Sequence, residues 1–123
     1  MRIFILLLAC LTANAQVSIN RGSVEVDSVT LREDAATGGL ELLVTYPAGH
    51  VFAPHWHEAN ERIILLEGRL QLGQDNDRKY LEPGGYAFLA AREPQRLSCA
   101  SKTHCVFYVS WDGNPKSHAV PQK

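Results

Sequence analysis

GHVFAPHWHEANERIILLEG, residues 49–68, is the stretch whose reading decides the fold. His55 and His57 stand two apart in a run of strand-forming residues, and in an extended strand such positions project to one face. Val51, Ala53, His55 and His57 share that face, and Phe52, Pro54 and Trp56 share the other. Glu61 opens the next strand, with Ile63 and Leu65 on its own side. Two imidazoles and a carboxylate around a common point form a ligand set for a divalent transition metal. With open positions the set is the two-histidine, one-carboxylate arrangement of non-haem iron. Pro54 lacks an amide hydrogen, which predicts an edge or an irregularity in the first strand. Ile64 and Leu66 are apolar on the far side of the second, so both its faces need covering, by a second sheet and by a second subunit (a homodimer).

Outward from this stretch, short strands alternate with turns, and helical periodicity is missing. Val24–Val29 alternates at period two, residues 32–39 form a polar loop ending in Gly38-Gly39, and Leu40–Tyr46 is a strand broken by Pro47 and Gly49. After Gly68, residues 69–72 run back, residues 74–78 are a polar hairpin loop, and 79–81 is a short strand before the Pro83-Gly84-Gly85 turn. Tyr86–Leu89 is a strand, 90–94 a loop, and Gln95–Cys99 with Cys105–Trp111 reads as the last hairpin. The tail after Asp112, with Gly113, Pro115 and Pro121, is expected to lie over the surface or fray. Many short strands with regular turn signals predict an all-β sandwich or barrel in one domain.

The first residues are of another kind. Met1-Arg2 is positive, residues 3–11 are an unbroken apolar run, and Ala13-Asn14-Ala15 offers a small-residue cleavage site. This is the layout of a signal peptide, cut near Ala15-Gln16, and predicts a periplasmic or secreted protein. The run is shorter than the roughly 20 residues that span a bilayer. Lipidation at Cys10 is the lesser alternative. Losing residues 1–15 removes Arg2 and no acid, so the formal charge of −1 becomes −2. That balance, with no cluster of Lys and Arg, argues against a nucleic-acid partner.

Of three cysteines, Cys99 and Cys105 remain after cleavage. Gln95, Leu97 and Cys99 share strand parity, as do Cys105, Phe107, Val109 and Trp111. In an exported chain a Cys99–Cys105 disulfide ranks first. Two reduced core cysteines, or Cys99 as a thiolate near the metal, are the alternatives. His50, His104 and His118 are expected at the surface. Trp56, Phe52, Tyr86 and Phe88 are read as core before pocket. Arg62 and Arg92 are candidates to bind a substrate carboxylate.

The spacing Gly49, His55, His57, Glu61, Gly68 resembles the first motif of the cupin superfamily, Gly-x5-His-x-His-x3-Glu-x6-Gly, at every named position. The resemblance implies a jelly-roll β-barrel of two antiparallel sheets over residues 40–111, so that the chain divides into the signal peptide already read at 1–15, an N-terminal strand and loop at 16–39, the barrel at 40–111 and a tail at 112–123. It implies that His55, His57 and Glu61 bind the metal, which two histidines and a glutamate leave open among Fe, Mn, Zn, Ni and Cu. The second motif, Gly-x5-Pro-x-Gly-x2-His-x3-Asn, is degenerate from Gly84 onward. Its proline, glycine, histidine and asparagine fall on Ala90, Arg92, Gln95 and Cys99. Gln95 then stands where the fourth ligand would be, able to offer a carbonyl oxygen or to orient a water.

Three functions follow as expectations. One is a metal-dependent enzyme of dioxygenase, isomerase or lyase type, acting on a small oxygenated molecule. Another is a non-catalytic periplasmic binding or sensing module, with or without metal. The last is a metal-free interaction domain using Ile64 and Leu66.

Overall fold

A computed structural model describes residues 26–121 of the chain. The expected signal peptide, Cys10 and the start of the first expected strand lie outside the described residues. Among the described residues ten strands form: β1 (Asp27–Glu33), β2 (Leu40–Tyr46), β3 (Val51–His57), β4 (Glu61–Glu67), β5 (Leu70–Leu72), β6 (Lys79–Leu81), β7 (Tyr86–Leu89), β8 (Gln95–Cys99), β9 (Cys105–Trp111) and β10 (Ser117–Ala119). They make two antiparallel five-stranded sheets, β1-β2-β9-β4-β7 and β10-β3-β8-β5-β6, the jelly-roll arrangement expected.

Period-two patterning builds the interior. On β4, Ile63 and Leu65 are fully buried while Ile64 and Leu66 face outward. Leu70, Leu97, Phe107 and Val109 meet them from β5, β8 and β9, and each such side chain removed from water contributes about 1.5–3 kcal/mol. β9 holds the centre of its sheet, pairing with β2 on one side and β4 on the other. β8 holds the centre of the second, between β3 and β5.

Three expectations about the chain are corrected. β8 and β9 do not form a hairpin: they belong to opposite sheets, and the turn between them crosses from one layer to the other. Cys99 and Cys105, at the two ends of that crossing, are joined as a disulfide with Cα atoms 5.7 Å apart, so the bond staples sheet to sheet. Arg32 and Glu33 continue β1 and are not loop, because their backbones pair with Glu41 and Leu40 after a bulge. The tail neither frays nor merely lies over the surface: Ser117, His118 and Ala119 pair with His57, Trp56 and His55 as an edge strand. Of the two outcomes expected at Pro54, an edge or an irregularity, the strand shows the irregularity. Register slips between Phe52 and His55, so Phe52 turns to the histidine side and its ring centroid lies 4.4 Å from that of His55.

Candidate functional site

His55, Glu61 and Gln95 are buried polar side chains at one end of the barrel interior, and His57 is partly buried beside them. They come from three strands in two sheets. β3 carries both histidines, β4 carries Glu61, and β8 presents Gln95 directly opposite His55. The imidazole centroids are 4.9 Å apart and nearly perpendicular. His57 Nε2 lies 3.6 Å from Glu61 Oε2, and the Gln95 Nε2–H donates to that same oxygen at 2.8 Å. Trp111, opposite Glu61 in the sheet, puts its ring 5.3 Å from His57.

Both histidines have a defined tautomer. His55 Nδ1 is 2.8 Å from the Ala53 carbonyl and His57 Nδ1 is 2.7 Å from the Pro115 carbonyl. A carbonyl oxygen only accepts, so each Nδ1 carries the hydrogen. In a neutral ring each Nε2 then keeps its lone pair, the orientation that metal-ligating histidines show when a carbonyl holds the other nitrogen. Burial pushes the His55 pKa down, with its backbone hydrogen bond opposing and the His57 ring adding to the fall. His55 is therefore held towards the neutral form.

Burial pushes the Glu61 carboxyl up, while the Gln95 hydrogen bond, the His57 ring and the Trp111 indole pull it back. Trp111 Nε1 sits by the carboxylate without reaching hydrogen-bond geometry, and Gln95 Oε1 is likewise buried without a partner. A buried polar atom without a partner costs about 1–3 kcal/mol. The site thus holds an unpaired acceptor and an unpaired donor around a buried acid. Its donors (two imidazole nitrogens, a carboxylate and an amide oxygen) fit a divalent transition metal in chemistry. They are not drawn into a finished cage: among the described residues no three His, Cys, Asp or Glu side chains already converge as one.

A cleft of about 830 Å³ opens between the edge strands β6 and β7 and includes Pro54, Leu81, Leu89, Gln95 and Leu97 in its lining. Gln95 is the link between this cleft and Glu61.

Other sequence candidates fall elsewhere. Arg62 faces away from Glu61 on the outside of β4, paired with Asp112 and lying 5.3 Å from the Phe88 ring centroid. It does not reach the interior, because neighbouring strand positions point to opposite faces. Arg92 is exposed in a left-handed turn (φ 67°) with its N–H donating to the His57 carbonyl at 2.8 Å, at the rim. Tyr86 and Phe88 are on the outer face and are not core. His50 is not a free surface residue: its ring packs against Tyr46 at 4.7 Å and its Nε2 is buried without a partner. His104 and His118 are each partly buried and paired, with Glu67 at 2.8 Å and Glu58 at 2.9 Å. Sequence reasoning missed Pro115, whose carbonyl arrives from a distant loop, and Tyr46. Tyr46 packs edge-on to Phe107, and its phenol is pushed up by burial and then by the Glu61 charge.

The fold and its neighbours agree. A family profile described as Cupin domain matches residues 42–111. No curated protein matches the chain. Among solved structures, a cupin superfamily protein from Desulfitobacterium hafniense DCB-2 aligns at 13% identity and TM-score 0.64, covering 72% of this chain and 78% of that one. The DMSP lyase DddQ from Ruegeria pomeroyi DSS-3 aligns at 17% and 0.65, covering 77% of this chain and 51% of that one. The polyketide cyclase RemF from Streptomyces resistomycificus aligns at 22% and 0.65, covering 80% and 73%. At these identities the likeness is one of fold, and the same barrel carries different chemistries. With the family profile spanning more than half of its length, the chain belongs to the cupin domain family.

Proposed function

We propose that this chain is an exported cupin that holds a divalent transition metal through His55 Nε2, His57 Nε2 and Glu61 and acts on a small oxygenated molecule. The observation that carries this reading is the pair of Nδ1–H contacts, to Ala53 and Pro115, which leaves both Nε2 atoms as donors beside one buried carboxylate. When bound, the metal would supply a Lewis acid or oxygen-activating centre. The protein's own residues supply the rest. Gln95 orients Glu61 and can turn its unpaired Oε1 to the metal or to a ligand hydroxyl. Trp111 offers an N–H, and the β6–β7 cleft gives a small molecule access to Gln95. The disulfide suits an oxidising compartment and so supports export.

The second reading, a binding or sensing module without turnover, rests on Gln95 occupying Glu61 from the position where the second cupin motif has histidine. Elemental analysis of the untagged, exported protein, with His55→Ala and His57→Ala variants, tests the first. About one transition metal per chain, lost in both variants while the fold is kept, is the expected result. Metal well below one per chain in the folded wild type would overturn it. Oxygen uptake and product analysis with small phenols, diketones and sugar acids then separates enzyme from sensor.

A second copy of the chain is the proposed cover for the outer face where Ile64, Leu66, Tyr86 and Phe88 are exposed. Sedimentation should show a dimer that Phe88→Glu dissociates.

A further inference from the structure

The two histidines are oriented from different places. His55 donates to a carbonyl of its own strand two residues earlier, whereas His57 donates to Pro115, 58 residues further on. The segment carrying Pro115 is held to β3 by a short series of contacts. Glu58 N–H donates to the Lys116 carbonyl at 3.0 Å, and Val120 N–H donates to the Pro54 carbonyl at 3.1 Å. Between them β10 pairs with β3, His118 lying opposite Trp56. The His118 ring stacks on Trp56 at 4.0 Å and 14°, and its Nε2 meets Glu58 at 2.9 Å. β10 is three residues long, sits at the sheet edge, and exposes Ser117 and Ala119. An element with so little buried surface opens at low cost.

We propose that residues 115–120 are a positioning strap for His57, docked by the Trp56–His118 stack, whose Pro115 carbonyl keeps the imidazole hydrogen on Nδ1 and Nε2 directed to Glu61. The proposal rests on the metal reading only for the use made of Nε2; the orientation of His57 is a property of the metal-free chain. A neutral imidazole released from the carbonyl exchanges between tautomers. The form with hydrogen on Nε2 has no lone pair there to give. Losing the partner that orients a ligating histidine lowers metal affinity by about 10–100-fold. Pro115 and His118 are positioning residues, acting through His57.

The test uses the full chain, with His118→Ala alone, His118→Ala combined with Val120→Pro, and His118→Phe. In metal-free protein labelled with nitrogen-15 at histidine, imidazole shifts report each tautomer, and hydrogen exchange at the Glu58 amide reports whether the strap is docked. The expected result is that the double variant unprotects Glu58 and moves His57 to mixed tautomers, while His55 keeps its Nδ1 hydrogen as internal control. Zinc titration should weaken by about 10–100-fold in step, and His118→Phe, which keeps the stack, should return to within a few-fold of wild type. His57 keeping its tautomer once Glu58 is unprotected overturns the proposal. Glu58 staying protected in the double variant also overturns it, because the stack then does not dock the strap. If Val120→Pro prevents folding, the same two readouts on His118→Ala, a change at the sheet edge, decide it. A wild type that takes up no zinc defeats the metal reading, and the tautomer measurement still decides the strap.

Discussion

Gln95 and Glu61 tie the two sheets together inside the barrel: the Gln95 amide on β8 donates to the Glu61 carboxylate on β4 at 2.8 Å, with both side chains buried. Gln95→Ala removes that donor and leaves Glu61 less well paired. The expected loss is about 1–3 kcal/mol in the metal-free protein, measured by urea denaturation. Gln95→His places a third imidazole at the same point and should raise zinc affinity in a calorimetric titration, since imidazole is a better donor than an amide oxygen.

Glu61 and His55 bias acid stability in opposite senses. Burial raises the folded pKa of Glu61, so its contribution is greatest below its ordinary value and fades as pH rises through the raised one. Burial lowers that of His55, so its contribution is present above the ordinary imidazole value and is lost as pH falls through the depressed one. In chelator-treated protein, Glu61→Gln removes only the first dependence. The stability of Glu61→Gln relative to wild type should therefore grow from about pH 4.5 upward, read from urea midpoints between about pH 4 and 7. A constant difference across that range would show that Glu61 titrates as if exposed.

The two motif glycines should differ in cost. Gly49 has φ +76° with open space where a Cβ would stand, so Gly49→Ala carries backbone strain alone, about 1 kcal/mol. Gly68 has φ +87° and a Cβ there would lie 2.8 Å from the His104 carbonyl oxygen and 2.9 Å from Cys105 Sγ. Gly68→Ala adds overpacking of about 1–3 kcal/mol, and a shift in melting temperature at least twice that of Gly49→Ala is expected.

The Cys99–Cys105 disulfide closes a short loop, with a sequence separation of 6, between one sheet and the other. A Cys99→Ala, Cys105→Ala double variant should lose about 2 kcal/mol by loop entropy. Thermal denaturation with and without reductant checks it. Reductant should destabilise the wild type and leave the double variant unchanged.

The sequence by itself determined the succession of strands along the chain from Leu40 to Trp111, the inward pair His55 and His57, and the turn glycines. These are local: side-chain parity, a missing amide hydrogen or a positive φ acts over a few residues. Even here the bulge at Ala53-Pro54 reached further than parity, turning Phe52 towards His55. Only the tertiary structure decided that Gln95 meets Glu61, that Cys99 and Cys105 belong to different sheets, and that a Pro-containing tail returns to orient His57. Each of these joins residues far apart in the chain or in separate layers. The partner is chosen by which strands pair and how the sheets stack, and no window of sequence around Pro115 or Gln95 contains that choice.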